Sequence, residues 1–450
     1  MIKTSVRIAV IGAGSATFSA EIVRDLCVCS GLSGSHVVLM DIDEKRLNMI
    51  DSLARKIAGE LSANITFSHT TNRHEALKNA DFVINAVQIK AGKLEGHEWV
   101  ELQRSIAEKH GYYRGAKLHL ISQLHFMLEL AKDIKEICPD AWLLQVGNPV
   151  FEGCTLIHRA VGIKVIGLCH GHYGIREIGN TLGLEAEALT GCAIGFNHWI
   201  WMTDFRYHGK DAYPLLDEWI NNEAEKYWAT YKAEYWNVQL SRGAIYQYKM
   251  FGLMPIGDTV RHAGWWLHTD LASKKKWFGK NGGFDSEIGW GQYLEAVDEN
   301  LKQVESAATD PNVLATRVFE PKQGDEQIIP IINSLTNDQE AVYQVNIPNY
   351  GNFIEGFPTN LVVETPALVN GFGVHGVKMP ALPTTVFVGA MIPRWREAEL
   401  MVESFRLKSY PLLLNFILSD PRSNGLAQAE ALLAEWLENP NNTALKNYFS

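Results

Sequence analysis

Short apolar runs alternate with longer amphipathic segments through the N-terminal part of the chain. Such apolar runs are typical of buried parallel strands, and the periodic segments between them are typical of helices. The predicted strands are Arg7–Ile11, His36–Met40, Ile65–Ser68, Phe82–Ala86, Trp142–Val146 and Lys164–Leu168. The predicted helices include Ala16–Cys29, Glu44–Leu61 and Leu120–Ile137. This order predicts an α/β fold with a doubly wound, mostly parallel Rossmann-like sheet and right-handed crossovers.

The pattern changes after about residue 195, where tryptophans, tyrosines and helical segments dominate. Strand-like runs recur at Ala341–Ile347 and Leu361–Pro366, and a long helical C-terminus is expected over roughly 391–438. We therefore predict two tightly packed domains, which agrees with a length of 450 residues. Residues 1–195 would form a nucleotide-binding domain, and residues 196–450 an α+β substrate and oligomerisation domain, as in lactate and malate dehydrogenases.

Composition narrows the class of partner and the compartment. The formal net charge of −10 argues against nucleic acid or an anionic membrane, and a hydrophobic content of 46% is that of a soluble globular protein. The sequence has no apolar run long enough to span a bilayer, and VRIAVIGAG predicts a strand rather than a signal peptide. Six cysteines without framework spacing suit a reducing compartment, so a cytoplasmic protein is expected.

A glycine-rich turn follows the first predicted strand. In RIAVIGAGSATFS, Gly12 permits a tight turn, and Gly14 lets backbone amides approach a pyrophosphate. A helix beginning near Ser15 would place its positive end against that pyrophosphate. The turn therefore predicts a dinucleotide site.

Asp41 ends the second predicted strand. A carboxylate there accepts hydrogen bonds from ribose hydroxyls and favours NAD over NADP. Arg46 leaves NADP open, and an Asp41 that only caps the next helix is the alternative interpretation. By fold analogy, Asn85 at the end of the fourth strand is placed near the nicotinamide ribose.

Polar side chains follow two further strands, and another lies in a later turn. Asn148 ends WLLQVGNP, Cys169 and His170 end KVIGLCHG, and His198 lies in IGFNHW. Because ligands bind at the carboxyl ends of parallel strands, the strand-end residues are expected to face the nicotinamide. A thiolate and an imidazole suit Zn, Fe, Co or Mn with open positions. From the residues alone, a packing cysteine and a core histidine are equally good interpretations.

The chain resembles glycoside hydrolase family 4, the NAD- and divalent-metal-dependent glycosidases, over essentially its whole length. The motifs that carry the resemblance are IGAGS, GNPV, LCHG, GFNHW, PIGDTVR and VVETPALV. The α-glucuronidase branch is the most similar, through EKHGYYRG (108–115), GKDAYPLLDEWI (209–220) and KKKWFGK (274–280). The pair Gly171–His172 departs from that branch's Gly or Ser followed by Val, a difference that bears on which sugar is bound.

The resemblance implies a role for each matching residue. Cys169 and His198 would bind the metal, with Mn²⁺ as the expected ion, and Asn148 would contact the sugar hydroxyls. His170 would be the acid that assists the leaving group. Asp258 of GDTVR would be the base, with Tyr248 of IYQYKMFG as the alternative base.

The resemblance also implies hydrolysis of α-glycosides, with an α-glucuronide as the expected substrate, by transient oxidation. Oxidation at C3 by NAD makes the C2 proton acidic, and the metal stabilises the resulting enediolate. The aglycone then leaves, water adds, and the hydride returns. A uronate carboxylate calls for an arginine, and Arg114 and Arg261 are the candidates. Arg261 could instead orient Asp258.

Other functions remain open at this stage. Within the family these are an α-galacturonidase or a neutral-sugar α-glucosidase or α-galactosidase. A 2-hydroxy-acid dehydrogenase would need a His–Asp pair and an arginine without metal, and a redox-sensing dinucleotide-binding module would not be an enzyme. A small sugar is the expected partner, and the resemblance implies a homodimer or homotetramer.

Overall fold

Backbone pairing joins thirteen strands into one sheet among the described residues. The computed structural model describes residues 5–15, 18–89, 96–111, 116–230 and 236–450. The strands are β1 (Arg7–Ile11), β2 (His36–Met40), β3 (Thr66–Thr70), β4 (Phe82–Asn85), β5 (Trp142–Gln145), β6 (Lys164–Gly167), β7 (Leu189–Phe196), β8 (Trp199–Tyr207), β9 (Lys210–Asp211), β10 (Met254–Ile256), β11 (Ala341–Pro348), β12 (Val362–Asn370) and β13 (Gly373–Gly376). Their order is β10–β8–β7–β12–β11–β6–β5–β4–β1–β2–β3, with β13 beside β12 and β9 beside β8.

Helices connect the strands and supply the layers that pack on the sheet. They are α1 (Phe18–Val28), α2 (Glu44–Leu61), α3 (Arg73–Leu77), α4 (Gly96–Lys109), α5 (Ala116–Ile137), α6 (Val150–Ala160), α7 (Gly174–Thr181), α8 (Tyr213–Asn222), α9 (Ala224–Thr230), α10 (Arg242–Phe251), α11 (Thr259–His262), α12 (Leu271–Phe278), α13 (Glu287–Thr309), α14 (Ala315–Val318), α15 (Ile328–Asn337), α16 (Thr384–Val386), α17 (Ile392–Arg406), α18 (Tyr410–Leu418), α19 (Leu426–Glu438) and α20 (Thr443–Phe449). In the ranges described above, none of these helices has the length and apolar character needed to cross a bilayer.

The parallel half of the sheet has the order β3–β2–β1–β4–β5–β6, which is that of dinucleotide-binding folds. Its strands are apolar on both faces because helices cover both sides. In β1, Ile8 and Val10 pack into one core and Ala9 and Ile11 into the other. The six predicted strands are confirmed to within two residues, and so is the Rossmann-like α/β fold.

Backbone pairing is sparse at two junctions of the sheet, one between the parallel and antiparallel halves (β6–β11) and one within the antiparallel half (β7–β12). β11 pairs with β6 only at Asn346 and Gly167, and β12 pairs with β7 only at Glu364 and Gly195. Buried polar side chains of Gln344, Asn346 and Glu364 lie here. We call this region, defined by these five residues, the seam. β11 and β12 come from the C-terminal part and extend the N-terminal sheet, while the domain division at residue 195 stays a prediction.

The helical C-terminus predicted over roughly 391–438 is present and consists of three helices, α17, α18 and α19. Between α17 and α18 the chain passes through Lys408, whose φ of +52° is left-handed. Pro411 follows in the first turn of α18, where no backbone N–H is needed. Gly425, with φ of +117°, precedes α19. Left-handed residues and prolines therefore divide a segment whose apolar pattern is nearly continuous.

Candidate active site

The turn after β1 has the geometry of a nucleotide-binding loop. Gly12 has a φ of +89°, which favours glycine, and leads to Gly14 at the carboxyl end of the strand. A Cβ on Gly14 would lie 2.8 Å from Oδ2 of Asp41, so a side chain there would displace the carboxylate. Asp41 Oδ2 instead accepts a hydrogen bond from the Gly14 amide at 2.8 Å. The predicted glycine turn and acidic residue thus lie side by side.

The neighbouring residues keep Asp41 free of a capping role. Asp43, not Asp41, caps α2, by accepting a hydrogen bond from the Arg46 amide. Arg46 also forms an ion pair with Asp43 at 3.5 Å. Ile42 is 80% exposed, and an apolar surface beside the acidic residue suits the face of a nucleobase. Sequence reasoning missed Ile42, although its position directly after Asp41 could have indicated a contact with the nucleotide.

Two other predicted cofactor residues differ in accessibility. Ser15 lies just before α1, and its Oγ accepts a hydrogen bond from the Phe18 amide at 3.4 Å. Asn85 is fully buried. Its Nδ2 donates to Gln145 Oε1 at 2.9 Å, and its Oδ1 accepts from the Val87 amide at 3.2 Å. Asn85 thus links β4 to β5 and supports the loop that follows β4, and its place near the nicotinamide ribose stays a prediction.

The loop after β6 and the loop after β10 touch through their backbones. Gly257 has a φ of +59°, and a Cβ there would lie 2.7 Å from the Cα of Gly171. Thr259 Oγ1 accepts a hydrogen bond from the Ile200 amide at 2.7 Å, which ties α11 to β8. These contacts bring together the loop after β6, the loop after β10 and the β7–β8 turn.

Three side chains at this meeting point have metal-binding spacing. One ligand atom each from His198, Asp258 and His262 lie within 4.8 Å of one another. The imidazole rings of His198 and His262 are stacked, with centroids 5.6 Å apart and planes 7° apart. Desolvation lowers the pKa of His198, and desolvation together with the charge of Arg261 lowers that of His262, so both rings offer lone pairs at neutral pH. Two imidazoles and a carboxylate form a donor set for divalent transition metals.

Cys169 lies beside this group. Burial, with Glu364 and Asp258 nearby, raises the pKa of the thiol, and the Asn197 side chain partly opposes that rise. Within the described ranges, no trio of ligand atoms with the spacing above includes this sulfur. A bound cation would offset the unfavourable effect that burial and the nearby carboxylates have on the thiolate. The surroundings of Cys169 are therefore compatible with metal ligation. Joint ligation by Cys169 and His198 stays a prediction.

Asp258 is fixed by Arg261. Oδ1 of Asp258 lies 2.8 Å from Arg261 Nη2, and Oδ2 lies 3.2 Å from His198 Nε2. Burial alone would raise the pKa of Asp258, but the charge of Arg261 and its hydrogen bond to the carboxylate hold it well below the ordinary value. The carboxylate is therefore ionised, and its side chain is 36% exposed.

Both terminal nitrogens of the Arg261 guanidinium form ion pairs, Nη2 with Asp258 and Nη1 with Asp285. Nη1 lies 3.1 Å from Asp285, and the guanidinium lies 4.6 Å from the ring centroid of Phe284. This geometry corrects the prediction that Arg261 binds a substrate carboxylate and favours the alternative, in which it orients Asp258. Arg114, the other candidate, lies outside the described residues.

His170 projects from the same loop as Cys169 and is 65% exposed. Its Nδ1 lies 3.0 Å from Oε1 of Glu326, and this hydrogen bond raises the pKa of His170. The loop that carries Glu326 is anchored to α1, because the Gly324 amide donates to Asp25 at 3.0 Å. Sequence reasoning missed Glu326, since nothing local connects residues 156 positions apart.

The side chain of Tyr248 contacts Asp217 and Tyr213. Its hydroxyl donates to Asp217 at 2.9 Å, and its ring stacks on Tyr213 with centroids 5.7 Å apart. Burial and the bond to Asp217 raise the pKa of Tyr248, which opposes phenolate formation. The geometry therefore favours Asp258 as the base, while the alternative role of Tyr248 stays a prediction.

Asn148 lies exposed between β5 and α6, at the same edge of the sheet as Cys169.

A glycine turn and a metal-type donor group at the carboxyl edge of a Rossmann-like sheet define an enzyme that acts on a small molecule. The chain belongs to glycoside hydrolase family 4. The model of the family 4 glycosyl hydrolases matches residues 7–184, and the model of their C-terminal domain matches residues 193–423.

Individual relatives agree with this assignment. An α-galactosidase of Bacillus subtilis is 30% identical over 217 residues, which cover 47% of this chain and 50% of that protein. An α-galacturonidase of Thermoanaerobacterium saccharolyticum is 26% identical over 465 residues, covering 96% of this chain and 95% of that one. The 6-phospho-β-glucosidase of Thermotoga maritima, solved with manganese, NAD⁺ and glucose-6-phosphate, has the same fold. It superposes with a TM-score of 0.71 at 20% identity, over 98% of this chain and 99% of that one.

Proposed function

We propose that this glycoside hydrolase cleaves α-linked uronides, with an α-glucuronide as the first expectation, and uses NAD and a divalent cation, expected to be Mn²⁺. One observation carries the proposal. An ionised carboxylate (Asp258), an exposed histidine (His170), the Cys169 thiol and the imidazoles of His198 and His262 lie on loops that touch at the carboxyl edge of a dinucleotide-type sheet.

The residues present fit both cofactors. The turn at Gly12 and Gly14 has no side chains to block a pyrophosphate, and Asp41 and Ile42 adjoin it as partners for a ribose and a base. Cys169 and His198 would hold the cation, and the acidic surroundings of the thiol favour a positive charge there. Ser15 and Arg46 complete the proposed nucleotide site.

Each cofactor supplies one kind of chemistry when bound: NAD exchanges a hydride with C3 of the sugar, and the divalent cation withdraws electrons from the sugar oxygens. With C3 at the oxidation level of a ketone, the proton at C2 becomes acidic. Oδ2 of Asp258 would receive that proton, while Arg261 holds Oδ1 and fixes the direction of attack.

His170 would give its proton to the glycosidic oxygen as the bond to the aglycone breaks. Glu326 holds Nδ1, so the proton in use would be the one on Nε2. Asn148, exposed at the same edge, would bind sugar hydroxyls. For the uronate carboxylate, Arg114 stays the proposed partner, since Arg261 is paired with Asp258 and Asp285.

A galacturonide is the second candidate substrate. The α-galacturonidase named above matches 96% of this chain, whereas the match to the α-galactosidase covers 47%. Glucuronides and galacturonides carry the same carboxylate, so the two candidates differ only in the configuration of one sugar hydroxyl.

A panel of p-nitrophenyl α-glycosides tests the proposal. Glucuronide, galacturonide, glucoside and galactoside are assayed with NAD and Mn²⁺, and each cofactor is omitted in turn. We expect p-nitrophenol release from a uronide only when both cofactors are present, without net accumulation of NADH. Activity confined to the neutral sugars would contradict the uronide proposal, and stoichiometric NADH would indicate a dehydrogenase.

A further inference from the structure

A buried polar cluster occupies the seam, directly behind the proposed metal ligands. Glu364 on β12 has no exposed surface. Its Oε2 accepts hydrogen bonds from Asn197 Nδ2 at 3.3 Å and from Asn346 Nδ2 at 3.1 Å. Its Oε1 lies 3.5 Å from Nε2 of Gln344, which also donates to the Ala193 carbonyl of β7 at 2.8 Å. One carboxyl group thus links β12 to β11 and to the β7–β8 turn.

The partners of Glu364 lead to both proposed ligands. Asn197 immediately precedes His198, so its hydrogen bond to Glu364 fixes the chain next to this proposed ligand. Asn346 lies 3.5 Å from the carbonyl of Gly167, two residues before Cys169. Backbone pairing across the seam is confined to single residue pairs, so side chains must fix the relative position of the two loops.

A carboxyl group at this position is costly for the fold alone. Burial raises the pKa of Glu364 to about 7 against the opposing effect of its amide partners, and those partners carry no charge. An apolar side chain on the same strand would fill the space without a desolvation penalty. We therefore relate the buried carboxyl group to the hydrogen bonds that it accepts from Asn197 and Asn346.

We infer that Glu364 is a positioning residue that sets the distance between the Cys169 sulfur and the His198 imidazole through Asn197 and Asn346. The inference rests on the proposed function, because it assumes that these two side chains share a cation. Partners that orient metal ligands from behind typically contribute about 10–100-fold in metal affinity.

Mn²⁺ binding to the NAD-loaded protein tests this role without reference to turnover. The electron paramagnetic resonance signal of free Mn²⁺ is titrated for the wild type, Glu364→Gln and Asn197→Ala, and the affinity for NAD is measured in parallel. Glu364→Gln keeps the size but turns an amide towards at least one donor. We expect Kd for Mn²⁺ to rise about 10–100-fold in both variants, while Kd for NAD changes less than about twofold.

The control is Asp420→Asn, which alters a buried carboxyl group outside the seam, beside Arg422. It should leave Mn²⁺ binding unchanged. Because Asn197 and Glu364 act through one network, the double variant should lose less than the sum of the single losses. Should Glu364→Gln fail to fold, Asn197→Ala alone carries the comparison.

The possible outcomes distinguish the proposed function from the positioning role of Glu364. A wild type that binds no Mn²⁺ overturns the proposed function and this inference with it. A wild type that binds Mn²⁺ while both variants bind it equally well overturns the inference alone, and so does a parallel loss of NAD affinity, which would indicate general destabilisation.

Discussion

The two halves of the sheet contribute to the site in different ways. In the parallel half, function follows directly from strand ends: the Gly12 turn, Asp41 and Cys169 each lie where a strand stops. In the antiparallel half, His198 and Asp258 lie in turns whose positions depend on contacts with other loops, such as that between Gly257 and Gly171. The parallel half therefore offers a cofactor site by its topology, whereas the chemistry depends on how accurately the antiparallel half is docked against it.

The largest expected effect comes from the antiparallel half. Asp258→Asn keeps the side-chain size but removes the carboxylate proposed to take the C2 proton. We expect the turnover of p-nitrophenyl α-uronide to fall by about 10²–10⁴-fold, the usual contribution of a general base. Asp285→Asn is the control, because it changes the other partner of Arg261; its loss should stay below about tenfold. Similar losses in both variants would mean that Arg261, not Asp258, is the essential group.

The docking of the two halves is tested at Gly257. Gly257→Ala places a Cβ 2.7 Å from the Gly171 backbone at a left-handed φ. We expect about 2–4 kcal/mol of lost stability, from conformational cost and the clash together, and weaker Mn²⁺ binding. Gly252→Ala is matched, since Gly252 has a φ of +81° but open space around its Cβ. It should cost only about 1–2 kcal/mol and leave Mn²⁺ binding unchanged. Equal unfolding midpoints for the two variants would contradict the close contact.

Substitution of Asp41, in the parallel half, should change the affinity for NAD and not that for Mn²⁺. Asp41→Asn removes a charged acceptor for ribose hydroxyls, so Kd for NAD should rise about 10–100-fold with Mn²⁺ binding retained. Asp43→Asn, which changes the cap of α2, should leave the affinity for NAD unaltered, as calorimetric titration would report. If Asp43→Asn has the larger effect, Asp41 is not the ribose partner.

A smaller effect is expected at Glu326, which orients His170. Glu326→Gln should lower kcat about tenfold for a methyl α-uronide, whose leaving group needs a proton, and less than about twofold for the p-nitrophenyl compound. Asp325→Asn changes the neighbouring residue, whose carboxylate does not bond His170, and should affect neither substrate. Equal losses on the two substrates would separate Glu326 from proton donation.

The smallest effect concerns acid stability in the parallel half. Burial lowers the pKa of His119, on α5, to about 4, from 6.5 in the unfolded chain. The neutral ring is favoured in the folded state, so its contribution is complete above about pH 6.5 and is lost as the pH falls towards 4. In His119→Gln the melting temperature should therefore fall less steeply between these pH values. An unchanged slope would show that His119 does not contribute.

The strands of the parallel half could be predicted because each is a local apolar run bounded by a turn. The same holds for the glycine turn, Asp41 and the strand-end position of Cys169. The helical C-terminus over roughly 391–438 could also be predicted from its periodicity, but its division near Pro411 and Gly425 was not predicted.

The remainder of the site depends on long-range contacts that no local pattern contains. Arg261 is paired through the fold with Asp285, and Tyr248 is turned towards Asp217. His262 offered a usable signal, since it lies one helical turn after Asp258. Glu364 offered another, as an acidic residue inside the apolar strand VVETPALV. Neither signal alone says which loop the side chain will face.

Hydrogen exchange at C2 tests the central claim most directly. Removal and return of the C2 proton during bond cleavage should place solvent deuterium at C2 of the released sugar when the uronide is turned over in D₂O. We predict that NMR of the product will show this label, and that Asp258→Asn will not produce it. Complete release of a uronic acid whose C2–H bond has never exchanged would contradict cleavage by transient oxidation.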